Sequence, residues 1–509
     1  MGVRHYESIS AGLVSPSLFA SLSRSARLVV SFLIGLATYG ASSAEGELSA
    51  PSTVWAFSMN EEANALPDMF DFSAKSENPA VRKDYYLPAI EIVGFEVMLN
   101  LVNRQGGSGD YKSNLSSIRH NLSSSWGVDR DPFLTNQLGH PYAGAMYHTF
   151  ARSLGLNFWE SLAYTFAGSA LWEIAGEVTP PSRNDQINTG IGGAFLGEAL
   201  FRLSNLMLEN RGESPSLWHE IGAAAISPAT GFNRLVFRNR MNSIFASRNP
   251  DYYSKLDLGF SGTASANSGT STTHLKQNEA LANFYIDYGL PGKPGYSYTR
   301  PFDYFNLQAT VSNANGFESL MTRGLLLGKD YEAGDKYRGI FGLYGSYDYM
   351  APQIFRVSST ALSIGTTAQF QLSESVALQG TGLLGVGYAA VGSTHANASE
   401  LEYHYGLAPQ ALISLRTIFG DKASLDLTAR EYFVSRVAAD GQGGRDNIIR
   451  LDASFTMRAN RRHAVSIKYL GNRRDASFPE RGSMTQSRGA IGIFYTYLGQ
   501  DGFGKVDWQ

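Results

Sequence analysis

The stretch IIRLDASFTMR, residues 448–458, decides the fold of the second half of the chain. Apolar residues such as Ile449 and Leu451 alternate strictly with polar residues such as Arg450 and Asp452. Successive side chains of a β-strand point to opposite faces of the sheet, whereas a helix repeats about every 3.6 residues. The pattern therefore predicts a strand with one apolar and one polar face.

Segments with this alternation follow one another from about residue 254 to residue 499. The twelve segments begin near Ser254, Glu279, Phe302, Ser319, Tyr337, Phe355, Glu374, Leu401, Lys422, Asn447, His463 and Arg488. An even number of antiparallel strands is typical of single-chain bacterial outer-membrane barrels, so we predict a transmembrane β-barrel of about 12 strands. The alternative is a soluble β-sandwich, which ordinarily has about seven to nine strands.

The polar face of the predicted barrel carries charges of both signs. Alternation places these charged side chains inside the barrel: Asp426, Arg430, Arg450, Asp452, Arg458 and Lys468. Long charged side chains that cross a barrel of this size leave little open space, so we expect a narrow or plugged lumen. The later external connections should be long, and the last of them is GNRRDASFPERGSMTQ, residues 471–486.

The composition fits an exported barrel protein. The chain has 509 residues, which favours two domains. Only 17% of its residues are charged, below the roughly 25% of a typical soluble domain. The absence of cysteine excludes disulfides, thiolate zinc sites and a cysteine nucleophile. No basic patch accompanies the formal net charge of -3, so we expect no nucleic-acid partner.

The N-terminus has the pattern of a secretory signal peptide. Arg24 and Arg27 precede the apolar run LVVSFLIGLATYG, residues 28–40, and small residues lead to a cleavage site after Ala44. The run is shorter than the roughly 20 apolar residues of a membrane-spanning helix. The predicted organisation is a signal peptide at 1–44, a linker at 45–84, a helical periplasmic domain at 85–245, the barrel at 254–499 and a tail at 500–509.

The region before the barrel has apolar residues at helical spacing, separated by Gly, Pro and Asn. Residues 126–204 contain GHP with an aromatic pair, WE followed by GE, and SxND followed by glycines and a second GE, and SPATGFNRL follows at residues 227–235. With these motifs the region, about residues 80–245, resembles the domain of unknown function 3943 family of Gram-negative envelope proteins. The resemblance implies a location in the envelope and a fold, and it implies no particular activity.

Polar residues within this region form the candidate site. The candidate catalytic residues are His140, Glu173, Glu177, Asp185 and Asn188. One reading is structural: these residues, with Glu198 and Arg202, would form a buried hydrogen-bond and ion-pair network between glycine-rich helices. The second reading is a site whose carboxylates and histidine bind a cation or act as acid and base. A partner-docking surface is the third.

No enzyme fingerprint accompanies these residues, because HExxH, GxSxG, P-loop and dinucleotide motifs are missing from the sequence. We therefore expect no cofactor and no metal, and a structural, assembly or transport role in the outer membrane. The alternative is an enzyme that modifies envelope lipid or a cell-wall precursor. Expected partners are outer-membrane lipid, a periplasmic envelope component and the barrel-assembly machinery, whose C-terminal recognition signal the last strand, GAIGIFYTYL, resembles.

Overall fold

The computed structural model describes residues 83–105, 109–129, 131–209, 215–237, 243–267, 275–393, 402–436, 444–479 and 482–508. The predicted signal peptide at 1–44 lies outside the described residues, as does almost all of the predicted linker at 45–84. Everything described below belongs to one compact unit of the chain. Within it, helices come first and strands follow.

The strands form a closed barrel in which each strand pairs antiparallel with its neighbours and β12 closes on β1. The strands are β1 Tyr252–Asn267, β2 Asn278–Tyr288, β3 Phe305–Ser312, β4 Gly316–Ala333, β5 Tyr337–Met350, β6 Phe355–Ser373, β7 Val376–Ser393, β8 Tyr403–Phe419, β9 Ala423–Arg436, β10 Gly444–Asn460, β11 His463–Phe478 and β12 Gly482–Leu498. The predicted architecture and strand number are confirmed. The expected long sixth external loop is wrong, since β11 and β12 leave only residues 479–481 between them.

Charged side chains cross the lumen of the barrel. Lys255 on β1 pairs with Asp426 on β9 at 3.1 Å, and Arg416 on β8 pairs with Asp287 on β2 at 3.0 Å. These strands are not neighbours in the sheet, so their side chains meet only through the interior. Two cavities among these side chains measure about 20 and 30 Å³, enough for about one or two water molecules each. Paired charged side chains of the described residues therefore occupy the interior at this level.

The tail after β12 folds back into one mouth of the barrel. The backbone N–H of Val506 donates to the side chain of Gln369, and the amide of Gln369 donates in return to the Val506 carbonyl at 2.7 Å. Phe503 is buried and lies beside the ring of Tyr253. Because Gln369 and Tyr253 face the lumen, the tail acts as a stopper at the end where the chain enters β1.

The region before the barrel is helical, as predicted. Its helices of nine residues or more are α1 Leu87–Gln105, α2 Leu115–Ser123, α3 His140–Ser153, α4 Phe158–Leu171, α5 Gly193–Leu208, α6 Leu217–Ile226 and α7 Pro228–Val236. Three π-helical segments, Thr135–Gly139, Trp172–Gly176 and Gln186–Gly192, adjoin α3, α4 and α5. No helix in the described part of the chain combines the length and the apolarity needed to cross a bilayer.

This helical unit packs against the outer wall of the barrel. Tyr347 on β5 donates its hydroxyl to the carbonyl of Gln137. Tyr347 shares a strand face with Phe341, which is exposed on the outside, because residues two apart on a strand point the same way. Phe195 of α5 lies on Gly345 of the same face. The contact is therefore made on the outside of the wall.

Glycines allow the helices of the unit to approach one another closely. A Cβ added to Gly193 on α5 would lie 2.6 Å from the Cα of Gly144 on α3, and one added to Gly197 would lie 2.9 Å from the Ala145 carbonyl. Such distances are shorter than real Cβ contacts allow, so larger residues would push α3 and α5 apart. These glycines give α5 a face without side chains, and the close approach holds the polar side chains of both helices against each other.

Candidate functional site

Two groups of buried side chains with several charges each lie among the described residues of the helical unit. The first, called here the Glu198 cluster, consists of Glu198, His148, Arg152 and Arg202. Glu198 accepts from Arg152 Nε at 2.7 Å, from Arg202 Nε at 2.8 Å and from His148 Nε2 at 3.1 Å. Both carboxylate oxygens are thus saturated. The predicted pairing of Glu198 with Arg202 is confirmed.

The Glu198 cluster also fastens the helical unit to the barrel. Arg202 donates to the carboxylate of Asp303 at 3.0 Å and to the carbonyl of Pro301 at 2.6 Å. Both acceptors lie in the connection between β2 and β3. Burial alone would raise the pKa of Glu198, but the guanidinium of Arg152 and its other partners hold that pKa well below its usual range. The carboxylate is therefore charged and paired.

The second group, called here the His140 cluster, consists of His140, Glu173, Glu177 and Asp185. Each of its members lies in or beside a π-helical segment: His140 follows the first, Glu173 lies in the second with Glu177 directly after it, and Asp185 precedes the third. A π-helical turn widens the helix locally and is frequent at functional sites. Three such turns bring these side chains from distant parts of the sequence to one place.

Hydrogen bonds hold most of the polar atoms in the His140 cluster. The backbone N–H of Ser182 donates to Glu173 Oε2 at 2.7 Å, and the Ser182 hydroxyl bonds to Asp185 Oδ2. Trp172 Nε1 donates to Glu177 Oε1 at 2.7 Å. Glu173 Oε1 is different, since it is buried and has no hydrogen-bond partner among the described residues.

One ligand atom from each of His140, Glu173 and Asp185 lies within 4.8 Å of the other two. Asp185 accepts from Asn184 Nδ2 at 3.0 Å through its other oxygen. His140 Nδ1 lies 3.3 Å from the hydroxyl of Thr189, which leaves Nε2 for the centre of the group. The three side chains therefore converge on one point and their outer atoms are held by neighbours.

The electrostatics of the His140 cluster are those of a site with too little positive charge. Burial, followed by the charge of Asp185, raises the pKa of Glu173 to about 8. Burial raises the pKa of Asp185 to about 6, although His140 acts against this. For His140, burial by itself would lower the pKa, but the surrounding carboxylates raise it to about 9. The imidazole is therefore the cation that partly neutralises the group.

The structure brings four of the five predicted site residues together and places the fifth apart. Asn188 donates to Gln137 Oε1 at 3.2 Å rather than to a carboxylate of the cluster. Glu198 and Arg202, expected in the same network, belong to the other cluster. The single network of the structural reading is therefore two networks, and only one of them is balanced in charge.

Sequence reasoning missed several residues that shape the site. Asn121 of α2 donates to the carbonyls of Glu173 and Glu177 at 3.3 and 3.1 Å, which fixes the π-helical segment between them. Tyr405 of β8 accepts from Gln137 at 2.8 Å and from Asn184 at 2.9 Å. No local pattern could indicate Tyr405, because it lies on a strand more than 200 residues away in the chain.

The burial of the His140 cluster limits what it can bind in this conformation. His140 is 9% exposed, while Glu173 and Asp185 are 2% and 1% exposed. An imidazole and carboxylates can exchange protons or hold a cation. An ion needs only the space between its ligands, whereas an organic substrate would need a cleft. The geometry therefore favours a small cation over a bound organic molecule.

Comparisons with solved structures return outer-membrane channels at low similarity. The NanC porin matches at 8% identity and a TM-score of 0.24, covering 47% of this chain and 98% of the porin. The channel DcaP of Acinetobacter baumannii matches at 8% identity and a TM-score of 0.22, covering 48% of this chain and 96% of the channel. An anion-selective porin from Comamonas acidovorans matches at 10% identity and a TM-score of 0.21, covering 48% of this chain and 98% of the porin. The closed barrel itself rests on the strand pairing described above.

A protein-family model matches the chain over residues 125–229. No curated protein matches the chain significantly. The matching stretch is narrower than the expected 80–245, and it holds both the Glu198 cluster and the His140 cluster. Residues 125–229 match the model of the family described as Domain of unknown function (DUF3943), which confirms the family resemblance for that part of the chain.

Proposed function

We propose that the protein is an outer-membrane barrel that conducts no solutes and serves as a membrane anchor for the helical unit. The observation that carries this proposal is the filled lumen, with ion pairs such as Lys255–Asp426 across it and the tail in one mouth. Apolar side chains such as Leu451, Phe455 and Met457 are exposed on the outer wall of β10. Such a band suits contact with lipid.

The helical unit lies, in this proposal, alongside the wall in the envelope. A periplasmic domain that lay beyond one mouth of the barrel would contact only that end of the strands. The contacts of the helical unit run instead from Asp303, at the end where the chain enters the barrel, to Tyr405, towards the opposite end of β8. These contacts support a unit clamped along the barrel rather than below it. The periplasmic compartment of the unit stays a prediction.

Membrane fractionation and planar-bilayer recording test the anchor. The full-length protein should fractionate with the outer membrane, shift in gel mobility when heated, and give no stable conductance in a planar bilayer. We expect no conductance because the charged side chains that are paired across the lumen block the passage of ions. Large, stable currents from the folded protein would contradict the proposal, and so would recovery of the folded protein in the soluble periplasm.

Cross-linking tests the position of the helical unit, because the chain has no cysteine of its own. A Cβ added to Gly192 would lie 2.7 Å from Thr360 Oγ1, so Gly192→Cys with Thr360→Cys should form a disulfide under oxidation. The matched control is Gly192→Cys with Ser359→Cys, because Ser359 faces the lumen and bonds to Gln410. Equal cross-linking in both pairs would contradict packing on the outer wall.

Chemistry on an envelope lipid or cell-wall precursor is the second candidate function. The unpartnered oxygen of Glu173 favours it, since a purely structural network would be expected to use that atom. A deletion strain should be profiled for lipid changes and complemented with Glu173→Gln and Asp185→Asn. Catalytic use predicts variants that fold normally and fail to complement. Full complementation by both folded variants would eliminate this candidate.

A further inference from the structure

The His140 cluster has the arrangement of a metal site, independent of what the barrel does in the membrane. His140, Glu173 and Asp185 come from three segments, and one ligand atom of each lies within 4.8 Å of the others. Three ligands bound to one ion at about 2.1 Å lie about 3.4–3.6 Å from one another. An ion would therefore have to draw the most distant of these atoms together by roughly 1 Å.

The free oxygen of Glu173 is an independent sign of a missing ligand. Glu173 is 2% exposed, and its Oε1 has no hydrogen-bond partner among the described residues. Ser182 already holds Oε2, so Oε1 is the atom that remains for a ligand. Buried polar atoms in folded proteins almost always have a partner, and an acceptor without one calls for a donor or a cation.

The neighbouring hydrogen bonds orient the three side chains as metal ligands are usually oriented. Thr189 contacts His140 Nδ1, Asn184 holds one oxygen of Asp185, and Ser182 holds one oxygen of Glu173. In metal sites, such outer partners fix the ring and carboxylates while the opposite atoms bind the ion. Glu173 keeps Oε1 for the centre and His140 keeps Nε2, while Asp185 would share with the ion an oxygen that also bonds to the Ser182 hydroxyl.

Glu177 differs from the other two carboxylates of the cluster, Glu173 and Asp185. Its Oε1 accepts from Trp172 at 2.7 Å and its Oε2 from Thr179 at 3.1 Å. Both oxygens are thus engaged, and Glu177 lies outside the group of three whose ligand atoms converge, so it contributes charge and no ligand atom. Two ligand carboxylates and Glu177 face one imidazole in the cluster, so a divalent ion would correct the excess of negative charge.

We propose that His140, Glu173 and Asp185 bind one divalent first-row transition metal ion. One imidazole nitrogen and two carboxylate oxygens suit zinc or manganese. Calcium takes about six to eight oxygen ligands, more than this site offers. The family match covers all three residues, and binding of a cation by these side chains is one of the readings that the sequence left open.

Metal titration of the full-length protein tests the proposal. The folded protein in detergent is stripped with a chelator, dialysed against zinc or manganese, and analysed for bound metal by elemental analysis. One ion per chain is expected for the unaltered protein, together with a metal-dependent rise of its melting temperature. No bound metal in either dialysis would overturn the proposal without the use of any variant.

Substitutions then locate the ion. His140→Ala, Glu173→Gln and Asp185→Asn should each lose the bound metal and the rise in melting temperature. Glu177→Gln is the matched control: it should still bind one ion, about 10- to 100-fold more weakly, because it changes only the surroundings of the ligands. Heat-modifiable mobility reports folding for each variant. Retention of the full metal content by folded Glu173→Gln and Asp185→Asn would overturn the site.

Discussion

The Glu198 cluster and the His140 cluster lie in the same helical unit and are equally buried, yet they differ in charge. Glu198 has two guanidinium partners and an imidazole. Glu173, Glu177 and Asp185 share one imidazole, and one carboxylate oxygen has no partner. Buried ions are tolerated when they are paired. The charges of the Glu198 cluster are therefore paired within the protein, whereas the His140 cluster needs a further cation to pair its carboxylates.

Removal of the central carboxylate should break the first cluster. Glu198→Ala leaves Arg152 and Arg202 buried without their partner, which is expected to destabilise the helical unit by about 3–5 kcal/mol. Limited proteolysis and urea unfolding measure the loss. Glu220→Ala is the control, because Glu220 pairs with Arg234 near the surface and should cost less than about 1 kcal/mol. Equal loss in both variants would remove the distinction.

The pH dependence of stability should differ between buried acids that have a partner cation and buried acids that lack one. Burial raises the pKa of Glu96 to about 8, although a hydrogen bond with Tyr147 opposes this. Its folded pKa exceeds the unfolded value of 4.5, so its contribution to stability is present below pH 4.5 and is lost as the pH rises through 8. Glu198 has a lowered pKa and behaves in the opposite sense, losing its contribution only in acid.

Unfolding between pH 5 and 8 tests this assignment. The Glu96 contribution should fall by at most about 1.4 kcal/mol per pH unit over this interval. Glu96→Gln should make that part of the stability profile of the helical unit less steep, while Glu173, whose pKa is also raised to about 8, keeps its own contribution. The same slope before and after the substitution would show that another group is responsible.

Neutralisation of one acid in the second cluster should have a smaller effect, of the opposite sign to that in the first. Without metal, burial already raises the pKa of Glu173 to about 8 and favours its neutral form, so Glu173→Gln should leave stability constant or raise it by at most about 1 kcal/mol. Urea unfolding in the presence of a chelator measures this. A loss of protease resistance comparable to that of Glu198→Ala would instead support the structural reading of both clusters.

The smallest effect is expected where the His140 cluster meets the barrel wall. Tyr405→Phe removes an acceptor shared by Gln137 and Asn184 and should lower stability by about 0.5–1.5 kcal/mol. Tyr388→Phe is a control on a neighbouring strand, because it keeps the ring stacked on Tyr405. Urea midpoints of the two variants should differ. Identical midpoints would show that the hydroxyl of Tyr405 adds nothing to the docking.

The barrel could be predicted because alternation of side chains is a local property. The starts of β5, β6 and β11 at Tyr337, Phe355 and His463 coincide with the predicted ones. The last loop could not be predicted, since the strands continue through polar residues such as Asn472 and Arg474 beyond the apolar band. Alternation shows which residues share a face, and it stops being informative where both faces are polar.

The site was predicted in part. His140, Glu173, Glu177 and Asp185 are polar residues within apolar helices, and that contrast identified them. The sequence did not reveal that the His140 cluster is separate from the Glu198 cluster. His140 and His148 share a helix face, but they lie about 12 Å apart along the helix. The docking of the helices on the wall was also hidden, since a face that meets lipid and a face that meets a helix are both apolar in sequence.

The three π-helical segments have a consequence for the phase of the helices. One residue more or less in a helix turns everything beyond it by about 100°. A single deletion within Trp172–Gly176 or Gln186–Gly192 would let that segment become an ordinary helix and would swing Glu177, or α5 with its glycine face, out of alignment. The meeting of these side chains thus depends on the count of residues between them as much as on their identity, and length changes here should be less tolerated than substitutions.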